Sequence, residues 1–150
     1  PHPSCPEKIG TLIEELGGVD ICFGGVGING HLAFNEPPDP SLEMTAEEFA
    51  ALPTRVVELD YRTRICNAIS AAGGNIEAMP RLAITVGMKE ILAARSVHIY
   101  LNRSWQAAVV RRMIHGPVTA QVPASLLQNH PDVRCVMIPE AAELPLAFSE

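Results

Sequence analysis

Val19-Asp20-Ile21-Cys22-Phe23-Gly24-Gly25-Val26-Gly27-Ile28-Asn29-Gly30-His31-Leu32-Ala33-Phe34-Asn35-Glu36-Pro37 is the stretch whose reading decides the fold. Its first five residues form a short apolar run with one acid, the pattern of a buried strand. A loop rich in Gly, Asn and Pro follows, to about Pro40. In parallel α/β sheets ligands bind beyond the C-terminal strand ends, so this loop is the first place to look for chemistry.

Working outward, Ser4-x-x-Glu7 with Pro6 inside it is a helix start signature. Ile9, Leu12, Ile13 and Leu16 continue at helical spacing, and Gly17-Gly18 closes the helix. On the other side Thr45-x-x-Glu48 caps a short helix, Thr54–Asp60 alternates as a strand, and Tyr61–Ala72 reads as a helix ended by Gly73-Gly74. Strands are expected at Leu82–Val86, Ser96–Leu101 and Val133–Ile138, and helices at Met88–Ala94, Ser104–Ile114 and Pro123–Gln128. Such alternation predicts an α/β fold with a mostly parallel, Rossmann-like sheet flanked by helices. Residues 1–150 are read as a single α/β domain, with no internal repeat and no interdomain linker.

Composition narrows the function. The 150 residues are 47% hydrophobic and 19% charged, with a net charge of −6, which excludes an intrinsically disordered chain. No apolar run reaches the length of a membrane span, so no membrane partner is expected. The cations are mostly scattered arginines, which argues against a nucleic-acid footprint and suits small anionic ligands. Cys5, Cys22, Cys66 and Cys135 lack zinc-ligand spacing, Cys22 and Cys135 read as core thiols, and a reducing cytoplasm is the expected setting.

Within the loop, Gly25 to Gly30 formally matches G-x-G-x-x-G after a strand. A dinucleotide site should open directly into a long helix, whereas Asn35-Glu36-Pro37-Pro38 breaks the chain. The glycines still allow close backbone approach to a ligand, and their N–H groups can form an anion nest; a plain surface turn is the alternative. His31 and Glu36 lie five residues apart. A His beside a carboxylate can be held in one tautomer and cycle protons, or the two can serve the loop alone. One His with one carboxylate is not a metal-ligand set.

The run from Gly24 to Pro37 resembles the signature of glucosamine-6-phosphate deaminases, also called isomerases, and of their galactosamine-6-phosphate relatives. Further segments resemble the same family: Leu59-Asp60-x-x-Thr63-Arg64, Met79-Pro80-Arg81-x-Ala83-Ile84-Thr85-Val86-Gly87, and Gly116-Pro117-Val118 through Leu127-Gln128-x-His130-Pro131. The resemblance extends from about Leu16 to Glu143. The related 6-phosphogluconolactonases share a Gly-x-Gly-x-x-Gly-His start, but Ala33-Phe34-Asn35-Glu36-Pro37 favours the deaminase branch.

The resemblance implies conversion of an amino-sugar 6-phosphate and water to the ketose 6-phosphate and ammonia, without metal or organic cofactor. His31 then matches the residue that moves the proton at ring opening, and Glu36 the acid that supports it. Asn29 stands where many members have Asp and is expected to orient His31 by hydrogen bonds. Gly25 and Gly27 are expected against the substrate. Arg64 is expected to grip the phosphate. Gln106 stands where a second phosphate contact is Lys, which predicts weaker phosphate binding or a different preferred ligand, with Arg103 close enough in sequence to substitute. No segment resembles the family's Gly/Thr-rich phosphate loop or its C2 base. The chain is therefore expected to be an incomplete family domain, the C-terminal part, releasing no ammonia by itself. A cytoplasmic homo-oligomer is expected. A non-catalytic sugar-phosphate sensor or an inactive half-domain is the alternative.

Overall fold

The computed structural model describes residues 5–143. Ser4 of the predicted helix start lies outside the described residues. The first helix, α1, runs Lys8–Glu15, and Glu7 before it makes no side-chain cap. Gly17 and Gly18 both adopt positive φ, and their N–H groups bond to the carbonyls of Glu14 and Ile13 at 3.1 and 2.8 Å. That wrap satisfies the helix end and turns the chain into β1, Ile21–Gly24.

Three strands form a parallel sheet in the order β1-β4-β5, with β4 at Ser96–Leu101 and β5 at Val133–Met137. Phe23 stands beside His98, and Ile99 beside Cys135. Alternation along β4 gives the sheet two unlike faces. Val97, Ile99 and Leu101 point inward, each at most 2% exposed. They join one core with Val109, Val110 and Met113 of α5, Ala107–His115, and with Leu126 and Leu127 of the 3-10 segment Pro123–Asn129. On the outer face Phe23 stacks on Tyr100 and meets His98 edge-on, with ring centroids 6.3 and 5.4 Å apart. Tyr100 and Val136 there are at least half exposed.

The predicted strands at Thr54–Asp60 and Leu82–Val86 exist as β2, Arg55–Glu58, and β3, Leu82–Thr85. They do not join the parallel sheet. They pair antiparallel with each other, Arg55 opposite Thr85, as a separate two-stranded sheet. Helix α3, Tyr61–Ala71, connects them. The mostly parallel sheet is thus present, with this antiparallel ribbon beside it. Helix α2, Ala46–Ala50, with the predicted Thr45/Glu48 capping box, packs against α4, Met88–Leu92, and both bury residues in the core. The helix predicted from Ser104 begins with a 3-10 turn, Ser104–Gln106. A last short helix, α6, Pro139–Ala142, was not foreseen.

Candidate active site

Because β1 and β4 are parallel neighbours, the loops leaving their C-terminal ends emerge side by side. One carries Gly24 to Pro38, the other Asn102 to Gln106. Gln106 Nε2 joins them by donating to the Val26 carbonyl at 2.9 Å. Both loops line a cleft of about 1040 Å³. Its walls also include Phe23 and Tyr100 of the outer sheet face and Thr63, Cys66, Asn67 and Ile69 of α3.

The first loop is anchored at several residues. Val26 and Leu32 are buried in the core, and Leu32 bridges to both Val26 and Asn35. Asn35 is fully buried. Its amide donates to the carbonyls of Leu32 and Val86 at 3.0 and 2.8 Å, and its oxygen accepts from Arg55 at 2.8 Å. Phe34 N–H donates to Thr85 Oγ1 at 3.0 Å. The loop is therefore tied to the end of β3 through the neighbouring residues Phe34 and Asn35.

His31, Asn29 and Glu36 meet in the interior of this loop. Glu36 Oε2 accepts from Asn29 Nδ2 at 2.6 Å. A carboxylate only accepts, so the amide nitrogen must face it and the amide oxygen must face His31. His31 Nδ1 lies 2.7 Å from that oxygen, 3.2 Å from Glu36 Oε2 and 3.3 Å from Thr63 Oγ1. An acceptor at 2.7 Å requires the proton on Nδ1, leaving Nε2 as the free nitrogen of the neutral ring. The His31 backbone N–H also donates to Asn29 Oδ1, at 3.2 Å. Both side chains of the ion pair are about nine-tenths buried. Burial alone would raise the Glu36 pKa. Hydrogen bonding to and charge on His31, with hydrogen bonds from Asn29 and Thr63, outweigh it and hold the carboxyl below the ordinary glutamate range. The ring edge bearing Nε2 packs on Gly27, where a β-carbon would collide with it.

The sequence-derived residues divide. His31, Gly25, Gly27 and Gln106 line the cleft; Asn29 and Glu36 stand directly behind His31. Arg64 is not among the cleft-lining residues. One of its nitrogens donates to the carbonyls of Ile76 and Met79 at 3.3 and 3.4 Å, and Nε is buried without a partner. Gln106 is also committed, since its oxygen accepts from the Arg103 N–H at 3.0 Å while its amide holds Val26. Thr63, unassigned from sequence, reaches His31 across the chain. Its signal was its place in the Leu59–Arg64 segment, but nothing in spacing says which side of α3 meets the loop. Among the described residues no group of His, Cys, Asp and Glu could hold a metal ion, and no helix is long and apolar enough to cross a membrane.

An open parallel sheet with a hydrogen-bonded His–Asn–Glu cluster in the loop after its first strand defines an α/β domain with its candidate site at the strand ends. In sequence the chain is related to the glucosamine-6-phosphate deaminases, whose C-terminal part it matches. It is 41% identical over 134 residues to the glucosamine-6-phosphate deaminase of Rhodopirellula baltica, covering 89% of this chain and 49% of that protein. With the deaminase of Thermoanaerobacter pseudethanolicus the identity is 38% over 132 residues, 88% of this chain and 48% of that protein. The chain thus spans about half the length of the curated relatives it matches. A solved structure described as a monomeric glucosamine-6-phosphate deaminase, a missing link of the NagB superfamily, superposes with a TM-score of 0.83 at 31% identity. That match covers 95% of this chain and 54% of the other. The 6-phosphogluconolactonase of Trypanosoma brucei, 17% identical with a TM-score of 0.63 over 93% of this chain and 52% of the other, shares the fold. No family model matches the chain.

Proposed function

We propose that this chain supplies the ring-opening half of an amino-sugar-phosphate isomerase/deaminase, acting on glucosamine 6-phosphate or its galactosamine epimer. The observation that carries the reading is the His31 ring, pinned at Nδ1 by Asn29, Glu36 and Thr63 and free at Nε2 on the cleft wall. Opening a cyclic hemiacetal requires removal of the C1 hydroxyl proton and delivery of a proton to the ring oxygen. Nε2 takes the first and returns it as the second, and Glu36 balances the cation between the two steps. The identity to deaminases in two bacteria supports the same substrate class.

Ring opening is measured directly by the exchange rate of the two anomers of glucosamine 6-phosphate, followed by NMR with the purified protein. Catalysed exchange is expected. His31→Gln is expected to return it to the uncatalysed rate, and Glu36→Gln to lower it about 10²–10⁴-fold, the usual range for general acid–base catalysis. Exchange unchanged by His31→Gln rejects the assignment.

The wider setting follows as part of the same reading. Cys22, Cys66 and Cys135 form no disulfide, which supports a reducing, cytoplasmic location. Self-association into a homo-oligomer is supported by the exposed apolar face of the parallel sheet, although the solved relative is described as monomeric.

A further inference from the structure

We propose that Thr63 is a positioning residue of the His31 site, a hydroxyl that keeps the ring proton on His31 and the negative charge on Glu36. The role rests on the proton chemistry proposed for His31 and names a residue outside the loop on which that chemistry depends. Thr63 is 2% exposed and lies in the first turn of α3. A threonine hydroxyl inside a helix commonly bonds back to a carbonyl one turn earlier. Thr63 Oγ1 instead lies 3.3 Å from His31 Nδ1, 32 positions away in the chain.

The proton count fixes which way this contact runs. Nδ1 carries a hydrogen in the neutral ring, because Asn29 Oδ1 sits 2.7 Å away, and it carries one in the cation as well. Thr63 Oγ1 can therefore only accept from the ring, which leaves its single proton for another partner. Glu36 receives it, since the Thr63 hydroxyl is among the groups that hold that carboxyl charged. With Asn29 Nδ2 at 2.6 Å, the carboxylate then has two donors besides the ring. Each donor makes the carboxylate less basic, so the ring proton facing Glu36 Oε2 at 3.2 Å stays on nitrogen. Nε2 is left to exchange protons with a ligand.

The turn that carries Thr63 is itself held. Asp60 accepts from the Arg62 N–H at 2.7 Å and so caps α3. Two charges of that turn also face the pair: Asp60 acts on His31 and Arg62 on Glu36, and the two bond to each other at 2.7 Å. Helix α3 further places Cys66, Asn67 and Ile69 on the cleft wall, so the hydroxyl ties that wall to the His31 loop.

The purified protein is titrated from acid to neutral pH without sugar, with the Glu36 carboxyl carbon and the His31 ring nitrogens followed by NMR. Anomer exchange of glucosamine 6-phosphate is then measured over the same range. Thr63→Val, which keeps the shape and removes the hydroxyl, is expected to move the Glu36 titration upward and to carry the acid limb of the exchange profile up with it. Thr63→Ser is expected to restore both. Should the valine variant not fold, Thr63→Ala compared with Thr63→Ser isolates the hydroxyl in the same way. An unmoved Glu36 titration overturns the role, and so does an exchange rate that falls equally at every pH, the mark of lost packing. If the unaltered protein catalyses no exchange, the sugar reading fails, and the carboxyl titration alone upholds or overturns the role of Thr63.

Discussion

At Asn29 one atom changes the chemistry of the loop. An amide can donate to Glu36 and accept from His31 at once, whereas a carboxylate there would face another carboxylate across 2.6 Å. Asn29 is therefore a bridge between acid and imidazole. Its consequence is measurable as a pH effect. Glu36 has its pKa lowered by folding, so its contribution to stability is complete above the unfolded value of about 4.3 and is lost as pH falls through the folded value. The thermal stability of the native protein should thus approach that of Glu36→Gln as pH is lowered from 5.5 to 3. A gap between the two that stays constant over that range contradicts the assignment. In Asn29→Asp the two carboxylates must share a proton, which raises one pKa and reverses the sign, so stability should improve on mild acidification. Residue identity made His31 and Glu36 legible from sequence. It did not make legible the commitment of Arg64 to backbone carbonyls, because whether an arginine meets a ligand or a carbonyl depends on what the fold puts within its reach.

Among the elements, α2 shows most plainly how local and tertiary terms combine. Five residues are too few for a helix to hold itself together in water. Two things sustain it, the Thr45/Glu48 capping box and the burial of Phe49, which is 1% exposed within the core cluster. Thr45→Ala should cost about 1 kcal/mol. Phe49→Ala should cost about 3–5 kcal/mol and abolish amide protection across Ala46–Ala50. Urea titration and hydrogen exchange check both; equal costs for the two substitutions would show that burial is not what holds the helix. The capping box was readable because its partners are three residues apart. The pairing of β2 with β3 was not, because alternation reveals a half-buried strand but not which strand lies beside it. An intervening helix suggests a parallel crossover, and here α3 instead spans an antiparallel pair.

At the scale of the whole molecule, the cleft is at the upper end of the range for small-ligand sites, about 300–1,000 Å³. An amino-sugar phosphate would fill only part of it. The outer sheet face is open as well, with β1 and β5 as unpaired edges among the described residues. Exposed edges and apolar faces favour association between chains. Sedimentation velocity should show an apparent mass that rises with protein concentration, and Val136→Lys, a charge on the exposed face of edge strand β5, should suppress the rise. A concentration-independent monomer refutes this.

Local sequence was enough to read most of the elements and the candidate loop. Helix periods, glycine stops and the capping box are set by contacts within a few residues, and the run from Gly24 to Pro37 carries its His, amide and carboxylate on one short piece of chain. Tertiary packing settled which strands pair, that Thr63 meets His31, and that Arg64 and Gln106 hold backbone groups. Those outcomes depend on hydrogen-bond partners far away in sequence. A polar side chain takes whichever partner burial leaves without water, and only the packed chain shows which that is.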